Sequence, residues 1–470
     1  MGRRILNTIL VTAVTITFLL FLLIASNFTT ASAQEIKLPD IKKETLANGL
    51  KVIVIEHHEL PVVAFRLVLK SGSAFDPPGK AGLANLTAGL LRKGTETKDA
   101  TQIAEEIDFV GGSLGAGANW DATFASCRVL NKYFDAGLDL LADIILNPTF
   151  NEDEIERLRK QTIAGIMQDK DDPGSVAEEN FRAFVFGEHP YGQPLEGTEH
   201  SVPSITRDDI VNFYKTYYVP NNAVLAVVGD IKTDDVLKKV KSKFGSWERK
   251  EFVTPDLAQP PEIKGFQILL VDKPDLTQSY IKIGHLGIER KSPDYFPVRV
   301  MNYILGGGGY ASRLVDEVRD KRGLTYDIRS IFDPYRLKGA FEVSTFTRID
   351  STLGAVQAIL KQIERMRAEK VSEKELSETK SFYNGYFPLQ FETPEQIATQ
   401  ILNVELYDLG EDYIKNFRKN ISAVTTDDIL RVAQKYLDPD NIKLVVVSKA
   451  EELKTELESL GEVEVISFLK

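Results

Sequence analysis

SITRDDIVNFYKTYYVPNNAVLAVVGD, residues 204–230, returns as AVTTDDILRVAQKYLDPDNIKLVVVSK at residues 423–449, and this recurrence decides the architecture. Under one constant offset of 219, Asp208, Asp209, Ile210, Tyr217, Pro220 and Asn222 meet Asp427, Asp428, Ile429, Tyr436, Pro439 and Asn441. Chance does not supply so many unshifted identities. The first copy reads as a helix over 207–218 leading into a strand at 223–228. A period this long marks a duplicated domain and excludes a short solenoid repeat.

Outward from that stretch, KVIVIE (51–56) and VVAFRLVLK (62–70) read as strands, and SGSAFDPPGKAG as a turn. Residues 83–91 and 100–110 read as helices, the second with Ile103, Ile107 and Val110 on one side. Residues 111–130 open glycine-rich and become strand-like, with an exposed backbone edge. Long amphipathic helices follow at 133–146 and 152–169, the second ended by Asp171-Asp172-Pro173. Hairpin-like strands beside blocks of long helices favour α+β layers over a doubly wound parallel sheet. The expected organisation is two homologous α+β domains, 34–253 and 266–470, joined by the proline-bearing linker 254–265.

The chain has 470 residues, 43% hydrophobic and 27% charged, too long for one ordinary domain. ILVTAVTITFLLFLLIA (9–25) stands behind Arg3 and Arg4, and Ala31-Ser32-Ala33 suits signal-peptidase cleavage. Residues 1–33 therefore read as a signal peptide for export to the periplasm; an uncleaved inner-membrane anchor is the other reading of so long a run. Arg3 and Arg4 are the only charges there, so cleavage takes the formal charge from -11 to -13. That acidity argues against nucleic-acid binding. A single cysteine, Cys127, excludes an intrachain disulfide and a cysteine zinc site, and its strand-like surroundings make it core.

LGGGGYASRLVDEVRDKRGLTY (305–326) reads as loop, helix, loop. Ser312 is the expected N-cap, Leu314, Val315 and Val318 the buried face, and Gly323 the left-handed residue past the end. Arg319 then falls in the last turn with Tyr326 just beyond it, so a long cation and a phenol converge. Taken alone, the pair reads more simply as a helix-end cation and a half-buried aromatic.

Five segments make the sequence recognisable. GLANLTAGLLRKGT (82–95), ILNPTFNEDEIERLRKQ, HPYGQPLEGT (189–198), YYVPNNAVLAVVGD and the 305–326 stretch together resemble the insulinase-like, or pitrilysin, metallopeptidase family, which includes the mitochondrial processing peptidase. The resemblance implies two homologous α+β domains facing each other across a chamber. Active members carry His-x-x-Glu-His on the helix between Gly-Leu-Ala and Lys-Gly-Thr: two histidines one turn apart hold zinc, and the glutamate activates water. This chain has Asn85, Ala88 and Gly89 at those positions, and the family's third ligand, a glutamate, falls at Gly165, give or take one residue. His57, His58, His189, His200 and His285 do not restore the spacing, so no zinc or other cofactor is expected in this chain.

Arg319 and Tyr326 match in type and spacing the family's pair that reaches toward the substrate at another half's zinc. The resemblance thus implies a non-catalytic, transition-state-assisting subunit of an exported heterodimeric zinc endopeptidase, whose partner is a zinc-bearing homologue and whose substrate is a peptide or unfolded polypeptide. A peptide-binding or scaffold protein that lost the reaction, and an autonomous metalloendopeptidase with unrecognised ligands, stay open. Gly111, Gly112 and Asn119 fall on the family's edge strand, which pairs with extended substrate through its backbone. A strand edge making room for a neighbouring helix explains those glycines equally well.

Overall fold

Two six-stranded sheets carry the duplication. The computed structural model describes residues 40–252 and 255–468; the expected signal segment 1–33 and Thr254 of the expected linker lie outside them. The first sheet contains β1 (Ile41–Thr45), β2 (Lys51–Glu56), β3 (Val62–Leu69), β4 (Ser113–Ala118), β5 (Thr123–Leu130) and β6 (Ala223–Gly229), in the order β1-β2-β6-β3-β5-β4. The second contains β7 (Gln267–Asp272), β8 (Gln278–Leu286), β9 (Ile328–Asp333), β10 (Ala340–Arg348), β11 (Lys443–Ser448) and β12 (Val463–Ser467), in the order β12-β7-β11-β8-β10-β9. In each half the strand after the repeated helix slides between two earlier ones, β6 between β2 and β3 and β11 between β7 and β8, parallel to the first of each pair and antiparallel to the second. Only the outermost strand breaks the repeat: β1 runs antiparallel to β2, whereas β12 runs parallel to β7.

The repeated residues have local work to do. Thr206 with Asp209, and Thr425 with Asp428, form the same reciprocal capping box at the start of helices Arg207–Tyr217 and Thr426–Tyr436. β6, AVLAVVG, is buried at every position, as a central strand covered on both faces must be. Residues 111–130 are more than the strand-like stretch read from the sequence: they form a hairpin, β4 and β5. Asn119 turns the chain, its Oδ1 accepting from the N–H groups of Asp121 (3.0 Å) and Ala122 (2.8 Å).

A second departure is larger. Asp171-Asp172-Pro173 ends one helix, Glu152–Asp171, and starts another, Pro173–Phe186. Proline costs nothing at a first helical position, and Asp172 Oδ2 accepts from the Ser175 N–H at 2.7 Å. Helix Pro394–Leu406 begins the same way, with Thr393 as its cap. These two helices are exchanged. Pro173–Phe186 lies on β8 and β11 of the second sheet, and Pro394–Leu406 on β3 and β6 of the first. Val176, Ala177, Phe181, Val185 and Phe186 bury against Leu269, Val271, Val445 and Val447, while Arg66 donates to Thr399 Oγ1 (2.8 Å) and Lys51 pairs with Glu405 (2.7 Å). The opposite face of the first sheet takes its own half's helices, through Leu86, Leu90, Leu138, Leu141 and Ile145. The residues from 40 onward accordingly form one unit.

Polar groups finish the joint. Lys282 bridges Glu178 and Glu342, the latter at 3.0 Å, and the Arg182 guanidinium stacks 3.8 Å over the Trp120 ring. His189 accepts from the Tyr191 N–H at Nδ1 (3.1 Å) and donates from Nε2 to the Ala258 carbonyl (2.9 Å), tying its loop to the segment between the halves. Burial lowers its pKa and keeps it the neutral imidazole this pattern needs. Cys127 is core, as expected, and burial pushes its thiol up to about 12. Among the described residues no helix is long and apolar enough to cross a membrane.

Candidate functional site

In the first half, helix Leu83–Leu90 is held at its start by Asp76, whose carboxylate accepts from the Gly82 (3.0 Å) and Ala84 (2.9 Å) N–H groups. Burial pushes that carboxyl up to about 8, against the pull of those donors. Two residues into the helix, Asn85 spends both ends of its amide on structure. Nδ2 donates to the Leu195 carbonyl (2.8 Å), and Oδ1 accepts from the Ala118 N–H (3.1 Å) at the end of β4. Ala88 is fully buried, and at Gly89 a Cβ would stand 3.0 Å from Leu158 Cδ2 on helix Glu152–Asp171. Gly165 lies further along that helix with open space above it.

The family's three zinc ligands and its general base fall at these four positions, but one amide already satisfied at both ends, a methyl group and two glycines offer no donor set for the metal. Among the described residues no group of three or more His, Cys, Asp or Glu side chains is placed to hold a metal ion. Asn85 therefore works as a clip between helix, edge strand and loop. Asn85→Ala is expected to destabilise the chain by about 1–3 kcal/mol, because two partly buried backbone groups lose their partner; a urea midpoint unchanged from wild type would refute the clip.

The expected substrate-binding glycines have a structural duty that the duplication exposes. Gly111 (φ +61°) donates to Asp108 O and Gly112 to Ile107 O, closing helix Ala100–Phe109 before β4. In the second half Gly323 (φ +62°) donates to Arg319 O and Leu324 to Val318 O, closing the corresponding helix before β9. Asn119 turns the β4–β5 hairpin, as described above. β4 is the last strand of its sheet, and Arg92 Nη1 caps its Leu114 carbonyl at 3.1 Å. The second half has its own clip to the equivalent edge: Asn302 Nδ2 donates to Ser330 O (3.0 Å), and Ser330 Oγ donates back to Asn302 Oδ1 (2.7 Å).

Arg319 and Tyr326 do converge. Ser312 stands at the expected N-cap, with the Val315 N–H 3.5 Å from its hydroxyl, and Leu314, Val315 and Val318 are buried. The helix differs from the expected α-helix in one respect: Val315–Lys321 winds in wider π turns. The preceding loop differs too, since Tyr303–Gly307 continues helix Tyr295–Asn302 in a π turn and only Gly309 takes a positive φ, +57°. Arg313 anchors the start through a bidentate pair with Glu375 (2.6 and 3.1 Å). Against the opposing effect of burial, hydrogen bonds from Arg313 and Ser372 hold the Glu375 carboxyl at about 2.

The loop carrying Tyr326 is pinned by threonines on both sides. Thr325 Oγ1 donates to Phe346 O (2.6 Å), Thr345 Oγ1 to Asp327 O (2.7 Å), and Thr347 Oγ1 to Leu324 O. Its phenol nevertheless projects outward, the residue being 77% exposed. The Arg319 guanidinium carbon lies 5.4 Å from the Tyr326 ring centre and 4.7 Å from that of Tyr310, a residue the sequence did not single out. Asp320, at 3.3 Å, is the one carboxylate paired with Arg319 among the described residues. Such an arrangement can present N–H and O–H donors to an oxygen that gains negative charge; it holds no group to activate water.

Comparison with known proteins gives both halves a match. Residues 51–199 match the family model described as insulinase (peptidase family M16), and residues 204–383 the model described as the peptidase M16 inactive domain. An uncharacterized zinc protease of Mycobacterium leprae (strain TN) is 30% identical over 400 residues, covering 84% of this chain and 89% of that protein. One from Bacillus subtilis (strain 168) is 28% identical over 353 residues, covering 75% and 85%. Among solved structures, a peptidase M16 inactive domain from Pseudomonas fluorescens superposes with a TM-score of 0.82 at 30% identity, over 87% of this chain and 98% of that one. A protease from Helicobacter pylori has the same fold, with a TM-score of 0.82 at 22% identity, covering 87% of this chain and 100% of that one.

Proposed function

The chain belongs to peptidase family M16, the insulinase family, and from that membership we propose that it is the zinc-less subunit of an exported, periplasmic heterodimeric endopeptidase, lending Arg319 and Tyr326 to a homologue that carries the metal. The observation that carries this reading is an asymmetry between the halves. The first half's family positions are occupied by Asn85, Ala88, Gly89 and Gly165, with Asn85 committed to a structural clip, whereas in the second half an arginine and a tyrosine stand together at the surface.

The chemistry assigned to this chain is narrow. A guanidinium and a phenol oriented by a pinned loop bind and orient a peptide carbonyl and donate to its oxygen as charge develops there. Water activation and the metal belong to the partner. Between the Arg92 and Asn85 contacts, the outer edge of β4 supplies a short backbone surface on which an extended polypeptide can lie.

The test is reconstitution. Purified alone, the chain is expected to cleave no unfolded polypeptide and to bind no stoichiometric zinc by metal analysis; mixed with a homologue bearing His-x-x-Glu-His, it is expected to yield an active complex. Zinc-dependent cleavage by the isolated chain, or a homologue fully active without it, would sink the proposal, and in the second case a peptide-binding scaffold becomes the better reading.

A further inference from the structure

We infer that Tyr310 is a positioning residue for Arg319: its ring holds the guanidinium with its free N–H edge toward the ligand. The inference rests on the reading of Arg319 given above. Arginine reaches the surface on a flexible stem and loses rotamer freedom when it orients. Among the described residues no buried polar group pairs with its head group. The Asp320 contact is a single bond from Nη1 to the neighbouring residue, and exposed pairs of that kind fix little. The rings of Tyr310 and Tyr326 are the remaining partners, at 4.7 and 5.4 Å, and the nearer one belongs to the residue without a family assignment. With one of five guanidinium donors used, the others stay available to a carbonyl or carboxylate oxygen.

The exposure of Tyr310 demands a reason. At 77% exposed it contributes little to the core, and a solvated tyrosine in a glycine-rich turn serves no packing need. Its placement is built in. Gly309 at φ +57° turns the chain into the 3-10 turn Gly309–Ala311, and Ser312 Oγ closes that turn on the Gly309 carbonyl at 2.6 Å. The same serine caps the helix that carries Arg319, so ring and guanidinium are fixed from one point.

Two measurements decide it, the first independent of any partner. In the isolated chain labelled with 15N-arginine, the Nε–Hε resonance assigned by its loss in Arg319→Ala is expected to sit upfield through the ring currents of Tyr310 and Tyr326, to move downfield in Tyr310→Leu, and to return in Tyr310→Phe. In the complex with a zinc-bearing homologue, Tyr310→Leu is expected to lower kcat about two- to five-fold at unchanged KM, with Tyr310→Phe restoring it. An Arg319 resonance indifferent to Tyr310→Leu overturns the inference, as does a loss that Phe fails to restore. Full activity of an Arg319→Ala complex overturns the proposed role of the pair instead, and the spectrum of the isolated chain tells the two failures apart.

Discussion

Arg319→Ala and Tyr326→Ala, introduced singly and assayed in complex with a zinc-bearing homologue, are each expected to lower kcat/KM by about 10²–10³-fold, the effect of removing one preorganised donor from a developing oxyanion. Stability is expected to stay within about 0.5 kcal/mol of wild type. Tyr326 is largely exposed, and Arg319 makes one carboxylate contact with its chain neighbour. Activity should therefore fall without the fold loosening, a separation that initial rates and urea unfolding of the same preparations will show. The double variant is expected to be little worse than either single one, because two donors to one oxygen act as a unit. Independent, multiplicative losses would mean that the residues serve different parts of the substrate. Wild-type rates from both variants would leave the pair a surface stack.

The second large effect concerns the joint between the halves. Phe181 belongs to the first half by sequence, but it is fully buried with Leu269, Val271, Val445 and Val447 of the second. Phe181→Ala is expected to cost about 3–5 kcal/mol. It should lower the urea midpoint of one cooperative transition without splitting it. Hydrogen exchange is the discriminating probe: amides of β8 and β11 should lose protection together with those of β3 and β6. A variant in which β8 and β11 stay protected while the first half opens would show that the exchanged helices do not couple the sheets.

The repeat at offset 219 was sufficient to announce two like domains, because capping boxes and β-branched runs are local and leave local marks: Thr206 with Asp209 and Thr425 with Asp428 stand three residues apart in sequence. The exchange of helices Pro173–Phe186 and Pro394–Leu406 left no such mark. Which sheet a helix covers depends on residues far away in the chain, and Pro173 signals a stop as readily as a first helical position. At the site, the spacing of Arg319 and Tyr326 was readable, and so was the absence of zinc ligands from residues 85–89. That Asn85 is a clip, that Leu158 closes on Gly89, and that Tyr310 joins Arg319 were not, since each is a contact across elements. The glycines before β4 carry two readings in the sequence. Glycine at 111 fits exposed backbone and helix closure alike, and its counterpart Gly323, at nearly the same φ in the other half, brings the closure into view.

The Asn85 clip bears on the history open to this chain. Asn85→His frees the Ala118 N–H and the Leu195 carbonyl, and any side chain at Gly89 meets Leu158. Neither change gains a metal site until all three ligand positions, 85, 89 and 165, are refilled together. A step back toward a metal site at Asn85 thus costs structure before it gains a ligand set, so a side chain built into the fold as a clip is hard to exchange for one that binds metal.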